Sequence, residues 1–134
     1  MGRSLYFAAR GGDLARVHEA LINGSHGGGH FSWRNEAKAG QTALMAAAGA
    51  GHAHCVELIL EAGAFALLTD NLKNTALHHA AWAGDITCTN LLLERRPTTG
   101  SADVHAKNSH GQTALHCAAQ TGSYDCVRRL IEVP

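Results

Sequence analysis

Ten histidines and four cysteines are the side chains with the most chemistry to offer in this 134-residue chain. They gather as His52-x-His54-Cys55, His78-His79 and His116-Cys117, and imidazole with thiolate is a common donor set for zinc. A structural zinc site needs four ligands converging on one point, whereas these clusters recur one at a time along the chain, each in its own copy of an internal repeat. The spacing therefore predicts no bound metal and no other cofactor. A Cys-His nucleophile at His116-Cys117 fails for a related reason, since neighbouring residues on a helix project about 100° apart and cannot face each other. His26-Gly27-Gly28-Gly29 has the composition of an oxyanion segment or a phosphate cradle. Neither a Gly-x-Ser-x-Gly elbow nor a Gly-Lys-Ser/Thr accompanies it, so a flexible connecting loop is expected. Nothing here assembles an enzyme, and the chain is predicted to be non-catalytic.

Charge narrows the partners. Arg95-Arg96 and Arg128-Arg129 could meet phosphates, but eleven basic and eleven acidic side chains cancel, leaving no net field to gather nucleic acid or an anionic membrane. No run approaches the roughly 18 apolar residues of a membrane span, and Met1-Gly2-Arg3-Ser4 leads into no signal-peptide core. The four cysteines contain no Cys-x-x-Cys pair and, without a secretory signal, are expected to be free thiols. These features predict a soluble, monomeric protein of the cytoplasm or nucleus, long enough to bury about two thirds of its unfolded surface in one domain.

The elements that must carry these side chains are set by self-similarity. Thr42-Ala43-Leu44-Met45-Ala46-Ala47-Ala48 is repeated as Thr75-Ala76-Leu77-His78-His79-Ala80-Ala81, 33 residues on, and as Thr113-Ala114-Leu115-His116-Cys117-Ala118-Ala119 after a further 38. A weaker copy, Leu5-Tyr6-Phe7-Ala8-Ala9, lies 39 residues upstream of Ala47, counted from Ala8. The surplus over 33 is placed by insertions near Ser25 to Phe31 and near Arg96 to Ser101. In each copy two apolar segments of helical length are parted at Gly12, Gly51, Gly84 and Gly122, where glycine stops a helix. Alanine pairs on the first helix permit close approach, while Val56-x-Leu58-Ile59-Leu60 gives the second an apolar stripe. Neither helix buries its face alone, so neighbouring copies must stack into a continuous core.

These residues resemble the ankyrin repeat, with its period of about 33 and its signature Thr-Pro-Leu-His-x-Ala. Alanine stands for the signature proline in all three clear copies, Met45 for one histidine, and Lys73 for a turn glycine. The resemblance implies an all-α solenoid of helix-turn-helix units with short β-hairpin turns, a single domain over 1–134 with repeats at about 3–35, 36–69, 70–107 and 108–134. It also implies that His78 and His116 bond locally to the signature threonines, Thr75 and Thr113. Where the second helices carry Leu58 and Leu91 internally, the first copy has Glu19 and the last Arg129, which predicts polar ends and a complete four-repeat array. Cys55, Cys88 and Cys126 share one repeat position, and packed helices about 8 to 10 Å apart hold such a ladder too wide for disulfides.

For function, the resemblance implies an unidentified protein partner bound by an adaptor, scaffold or inhibitor through the concave face of hairpin tips and first helices. The positions that vary on that face map to Arg10, Lys38, Gln41, Asn71, Leu72, Asn74, Trp82, His110, Gln112, Gln120 and Thr121. Trp82, large and apolar where stacking does not require it, is the expected anchor, with Lys38, Asn74, Gln112 and Gln120 as a polar rim. Trp33 aligns with Val104 and is expected to pack on the first inserted loop instead. A metal-responsive histidine module and a nucleic-acid accessory are the competing readings, separable by zinc calorimetry and a salt titration.

Overall fold

Three of the four first helices start at a threonine, Thr42, Thr75 and Thr113, because a hydroxyl can cap the free N–H groups of a helical first turn. Thr42 accepts from the Met45 N–H and Thr75 from the His78 N–H, both at 3.4 Å. In the computed structural model, which describes residues 2–23, 33–94 and 102–133, eight α-helices follow in pairs. They are α1 (Gly2–Gly11) with α2 (Leu14–Asn23), α3 (Ala43–Gly49) with α4 (Ala53–Glu61), α5 (Ala76–Ala83) with α6 (Ile86–Leu93), and α7 (Ala114–Thr121) with α8 (Tyr124–Glu132). The glycine-rich segment after His26 and the Arg95-Arg96 pair lie outside the described residues.

The second helix of each pair begins where the first is stopped by a glycine in the left-handed region, Gly84 at φ +68° and Gly122 at φ +80°, with Gly12 and Gly51 alike. The same backbone bond closes all four turns: Asp13 N–H to Ala8 O, His52 to Ala47, Asp85 to Ala80 and Ser123 to Ala118. Asp13, Asp85 and Ser123 then cap the following helix through their side chains.

The pairs stack in two rows, α1–α3–α5–α7 inside and α2–α4–α6–α8 outside, each helix touching its counterpart in the next pair. Ala47, Ala48, Ala80, Ala81 and Ala118 are fully buried along the inner row, and their small size lets the helices close on one another. Val17, Val56, Ile59 and Leu92 fill the space between the rows together with Cys55, Cys88 and Cys126. Each fully buried aliphatic chain contributes about 1.5 to 3 kcal/mol. All four cysteines are free and buried.

Between pairs the chain makes a projecting tip, and here it differs in detail from short hairpins. Among the described residues no strand forms: one antiparallel bridge joins Asn35 to Gln41, while Asp70 donates its N–H to Asn74 O and takes the Asn74 N–H on its side chain, its backbone O accepting from Lys73 N–H instead. Lys73 occupies the turn at φ +62°, a conformation that glycine adopts without cost and a lysine only with strain. The last pair also departs from a polar end: Leu115 is 36% exposed where its counterpart Leu77 is fully covered, and Ile131 is 66% exposed. Arg129, in the place of Leu58 and Leu91, reaches back to Asn90 Oδ1 at 2.9 Å.

Candidate protein-binding face

The tips are tied edge to edge. Asn71 N–H donates to Ala39 O and Ser109 N–H to Leu72 O, each at 2.8 Å, so residues 36–40, 71–73 and 109–111 form one ridge beside the inner helices. Each later tip is held by a buried acceptor at its base. Asp70 Oδ1 accepts from Leu72 N–H (3.0 Å) and Asn74 N–H (2.8 Å), and Asn108 Oδ1 accepts from His110 N–H and Gln112 N–H, both at 3.0 Å. The two bases are linked through Asn74, whose amide donates to Asp70 Oδ2 and whose Oδ1 accepts from Asn108 Nδ2 at 2.9 Å.

Histidines lock this ridge to the helices. His78, 1% exposed, takes the Thr75 N–H (3.1 Å) and hydroxyl (2.9 Å) at Nδ1, which leaves Nε2–H to donate to Gln112 O of the next pair at 2.8 Å. His116 repeats the bonds to Thr113 but is exposed. His79 Nε2 lies 3.1 Å from Asp70 Oδ2. Burial pushes the His79 pKa down, and the hydrogen bond and charge of Asp70 oppose that only in part. The neutral ring therefore donates its Nε2–H to the carboxylate.

The expected site residues divide on this frame. Arg10, Lys38, Asn71, Leu72, His110, Gln120 and Thr121 are exposed along the ridge and the adjoining inner-helix ends. Gln41 and Gln112 are half-buried and already engaged, Gln41 Oε1 accepting from the Tyr6 hydroxyl at 3.3 Å and Gln112 Oε1 from Asn108 Nδ2 at 3.1 Å. Asn74 is not part of an outward rim: it is 4% exposed and spends its amide on the tip bases. Trp82 is half-buried, its ring set edge-on to His79 at 5.9 Å and tilted to His78 at 6.3 Å, with Thr121 donating to its backbone oxygen at 3.0 Å. Trp33 packs on Tyr6 at 5.6 Å, and the first inserted loop lies outside the described residues. Lys73, noted in the sequence for its turn alone, adds an exposed cation at the ridge.

This arrangement offers surface and hydrogen-bonding groups rather than reaction chemistry. Burial drives the Cys88 thiol up to about 12, with the Asp85 charge adding to it, and Cys117 up to about 11, far from the thiolate a nucleophile requires at neutral pH. Among the described residues no three His, Cys, Asp or Glu side chains come together as metal ligands. No described helix is long and apolar enough to cross a membrane.

Comparison with known proteins matches residues 5–104 to a family model of three ankyrin repeats, and residues 110–133 to a model of one more. The chain belongs to the ankyrin repeat family. It is 34% identical to inversin of Canis lupus familiaris over 98% of its own length but 12% of inversin's, and 32% identical to the human B-cell lymphoma 3 protein over 96% of its length and 28% of that protein's. Its fold is similar to the crystal structure of the ankyrin repeat domain of Bcl-3, with a TM-score of 0.85, 32% identity and coverage of 96% of this chain and 55% of that one. The chain thus spans a small part of the curated relatives it matches. In ankyrin terms the ridge is the row of repeat tips, and the pair after Ala-Ala lies at the end of each inner helix.

Proposed function

We propose that the chain is a non-catalytic protein-binding module, an adaptor, scaffold or inhibitor. It works as a single unit of four repeats over 1–134 and takes its partner on the concave face made by the tips and inner helices. The observation that carries this reading is the exposed apolar surface of Leu72, 47% exposed at the centre of the ridge, with Trp82 half-buried near the end of the inner helix that follows. Leu72 is not needed to stack the repeats, whereas Leu77 and Leu92 are, and Trp82 packs in part against the core. Tryptophan is enriched among residues whose truncation costs an interface about 2 kcal/mol or more. Action in the cytoplasm or nucleus is supported by four unpaired cysteines.

The test is affinity capture from native extract followed by titration of the captured protein against variants. Leu72→Asp and Trp82→Ala should each weaken binding at least about tenfold, while Glu57→Lys on the outer row leaves it unchanged. Trp82→Ala also loses packing on His78 and His79, so its affinity is compared well below its unfolding midpoint. Loss of binding in Glu57→Lys with both ridge variants unaffected would move the site to the convex face.

A further inference from the structure

The formal neutrality of the chain conceals a separation of charge between its two rows. The four inner helices contain no aspartate or glutamate at all, and α1 carries Arg3 and Arg10. At the tips Lys38 and Lys73 are exposed beside the exposed acid Glu36, the Asp70 carboxylate is buried at the base of the second tip, and Asp103 and Lys107, both exposed, precede the third. The outer helices hold Glu19, Glu57, Glu61, Asp125 and Glu132. Their cations are largely spoken for, Arg16 by Asp13 at 3.5 Å, Arg128 by Glu132 at 3.3 Å and Arg129 by Asn90. Arg10, Lys38 and Lys73 form no ion pair among the described residues. The concave side is therefore a positive strip on a molecule with no net charge.

A second feature lies within the strip. Arg10, Gly49, Trp82 and Gln120 occupy the same position in successive inner helices, at intervals of 39, 33 and 38 residues. At Gly49 the row has no side chain, so at this position α3 sets none between the arginine and the indole. A Cβ placed there would lie 3.6 Å from His79 Cβ, an ordinary contact, so packing does not demand the glycine.

We infer that the concave face takes an extended acidic segment of a partner protein, with carboxylates on Lys38, Lys73 and Arg10 and an apolar side chain lodged over Gly49 against Trp82. This rests on the concave-face reading above and specifies the chemistry of its ligand. The spacing fits: repeats stack at about 10 Å, and an extended chain advances about 3.3 Å per residue, so carboxylates three residues apart meet cations on neighbouring repeats. A nucleic acid fits less well. Its phosphates are denser than one cation per repeat, and single strands call for a series of exposed stacking aromatics, whereas in the inner row Tyr6 is buried, Phe7 lines a pocket with α2, and α3, α5 and α7 hold one large aromatic, Trp82.

The experiment selects binders from three displayed peptide pools of equal apolar content, one rich in Asp and Glu, one neutral and one rich in Lys and Arg. A labelled oligothymidylate serves as the nucleic-acid probe. Enrichment from the acidic pool is expected. Binding of those peptides should weaken as salt rises and fall at least about tenfold in Lys38→Glu/Lys73→Gly and in Gly49→Gln. Lys73→Gly relieves a strained turn, so a variant that gains stability while losing affinity separates binding from folding. Enrichment of neutral or basic peptides, or of none, overturns the inference. If such peptides still depend on Leu72, the concave face stands and only the partner's charge was misread. Acidic peptides indifferent to Leu72→Asp and to both variants would sink the face and the inference together. Oligothymidylate bound more tightly than the acidic peptides, and released by Lys38→Glu/Lys73→Gly, would assign the strip to nucleic acid.

Discussion

His78 and His116 form a controlled comparison inside one chain, because they share a repeat position, a threonine cap and a helix start, and differ in what lies beyond Nε2. Replacing His78 with alanine removes two bonds to Thr75 and the 2.8 Å bond to Gln112 O, and leaves the buried Thr75 N–H without its acceptor. Gln112 O keeps the Asn108 N–H at 2.9 Å, so that carbonyl is not orphaned. Three hydrogen bonds at about 1 kcal/mol each, the stranded donor being counted within them, and up to about 2 kcal/mol for the partly collapsed space left by the ring give about 3 to 5 kcal/mol. His116→Ala deletes the same Thr113 bonds at an exposed site where water replaces them, and should cost about 1 kcal/mol. Equilibrium urea unfolding followed by circular dichroism would read this directly. At a slope of about 2 kcal/mol/M the His78 variant shifts the midpoint by about 2 M, and the His116 variant by a quarter of that. Equal shifts in the two variants would refute the claim that the bond to the next repeat, rather than the local cap, carries the difference.

His79 gives a pH dependence of defined sign. Its folded-state pKa is depressed by burial, so the unfolded chain binds the proton more readily, and stability is complete above the ordinary histidine range and falls as pH drops below about 6.5, by at most about 1.4 kcal/mol per pH unit. His79→Asn should flatten that slope in unfolding curves recorded between neutral and mildly acidic pH; an unchanged slope would assign it to another group. The thiols should be inert in the folded chain: with Cys88 near 12 and Cys117 near 11, a disulfide reagent at mildly alkaline pH is expected to label none quickly and all four after unfolding. Rapid labelling of the native protein would show that the layer between the rows opens far more readily than its burial implies.

The fold was legible in the sequence because stacking imposes a period, and a period survives substitution. Loss of the signature proline and of Met45's histidine left the Thr42, Thr75 and Thr113 starts and the glycine stops in place, and these suffice to pair the helices. The cysteine ladder was legible for the same reason. The tips were less so. Asn74 and Asn71 are the same residue type three positions apart in one turn, yet one is buried and the other exposed, because Asn74 meets Asn108 of the following tip. That contact belongs to two repeats at once and no single-repeat pattern contains it. The Asp70–His79 pair lies within one repeat but escaped too, because it joins a tip to a helix nine residues on, a distance that neither the helical period nor a turn pattern registers. Net charge misled more directly. A total of zero says nothing of where the charges sit: the outer helices hold five acids while the inner helices have none.

The turn closed four times by the same backbone bond makes the molecule editable. Cutting the chain just after one of these glycines and rejoining it just after another brings together two ends of the same local shape. Duplicating residues 52–84 would thus add one complete layer without asking any turn for a new conformation, because the copy ends on Gly84 as its predecessor ended on Gly51. Changes in length by whole layers are then nearly free of strain, whereas the loss of a few residues within a layer must be absorbed by the helices. The five surplus residues between the third and fourth copies obey the same grammar, since they fall between layers. Such a chain can lengthen its row of tips by copying itself, and the chemistry of that row can then diverge one tip at a time.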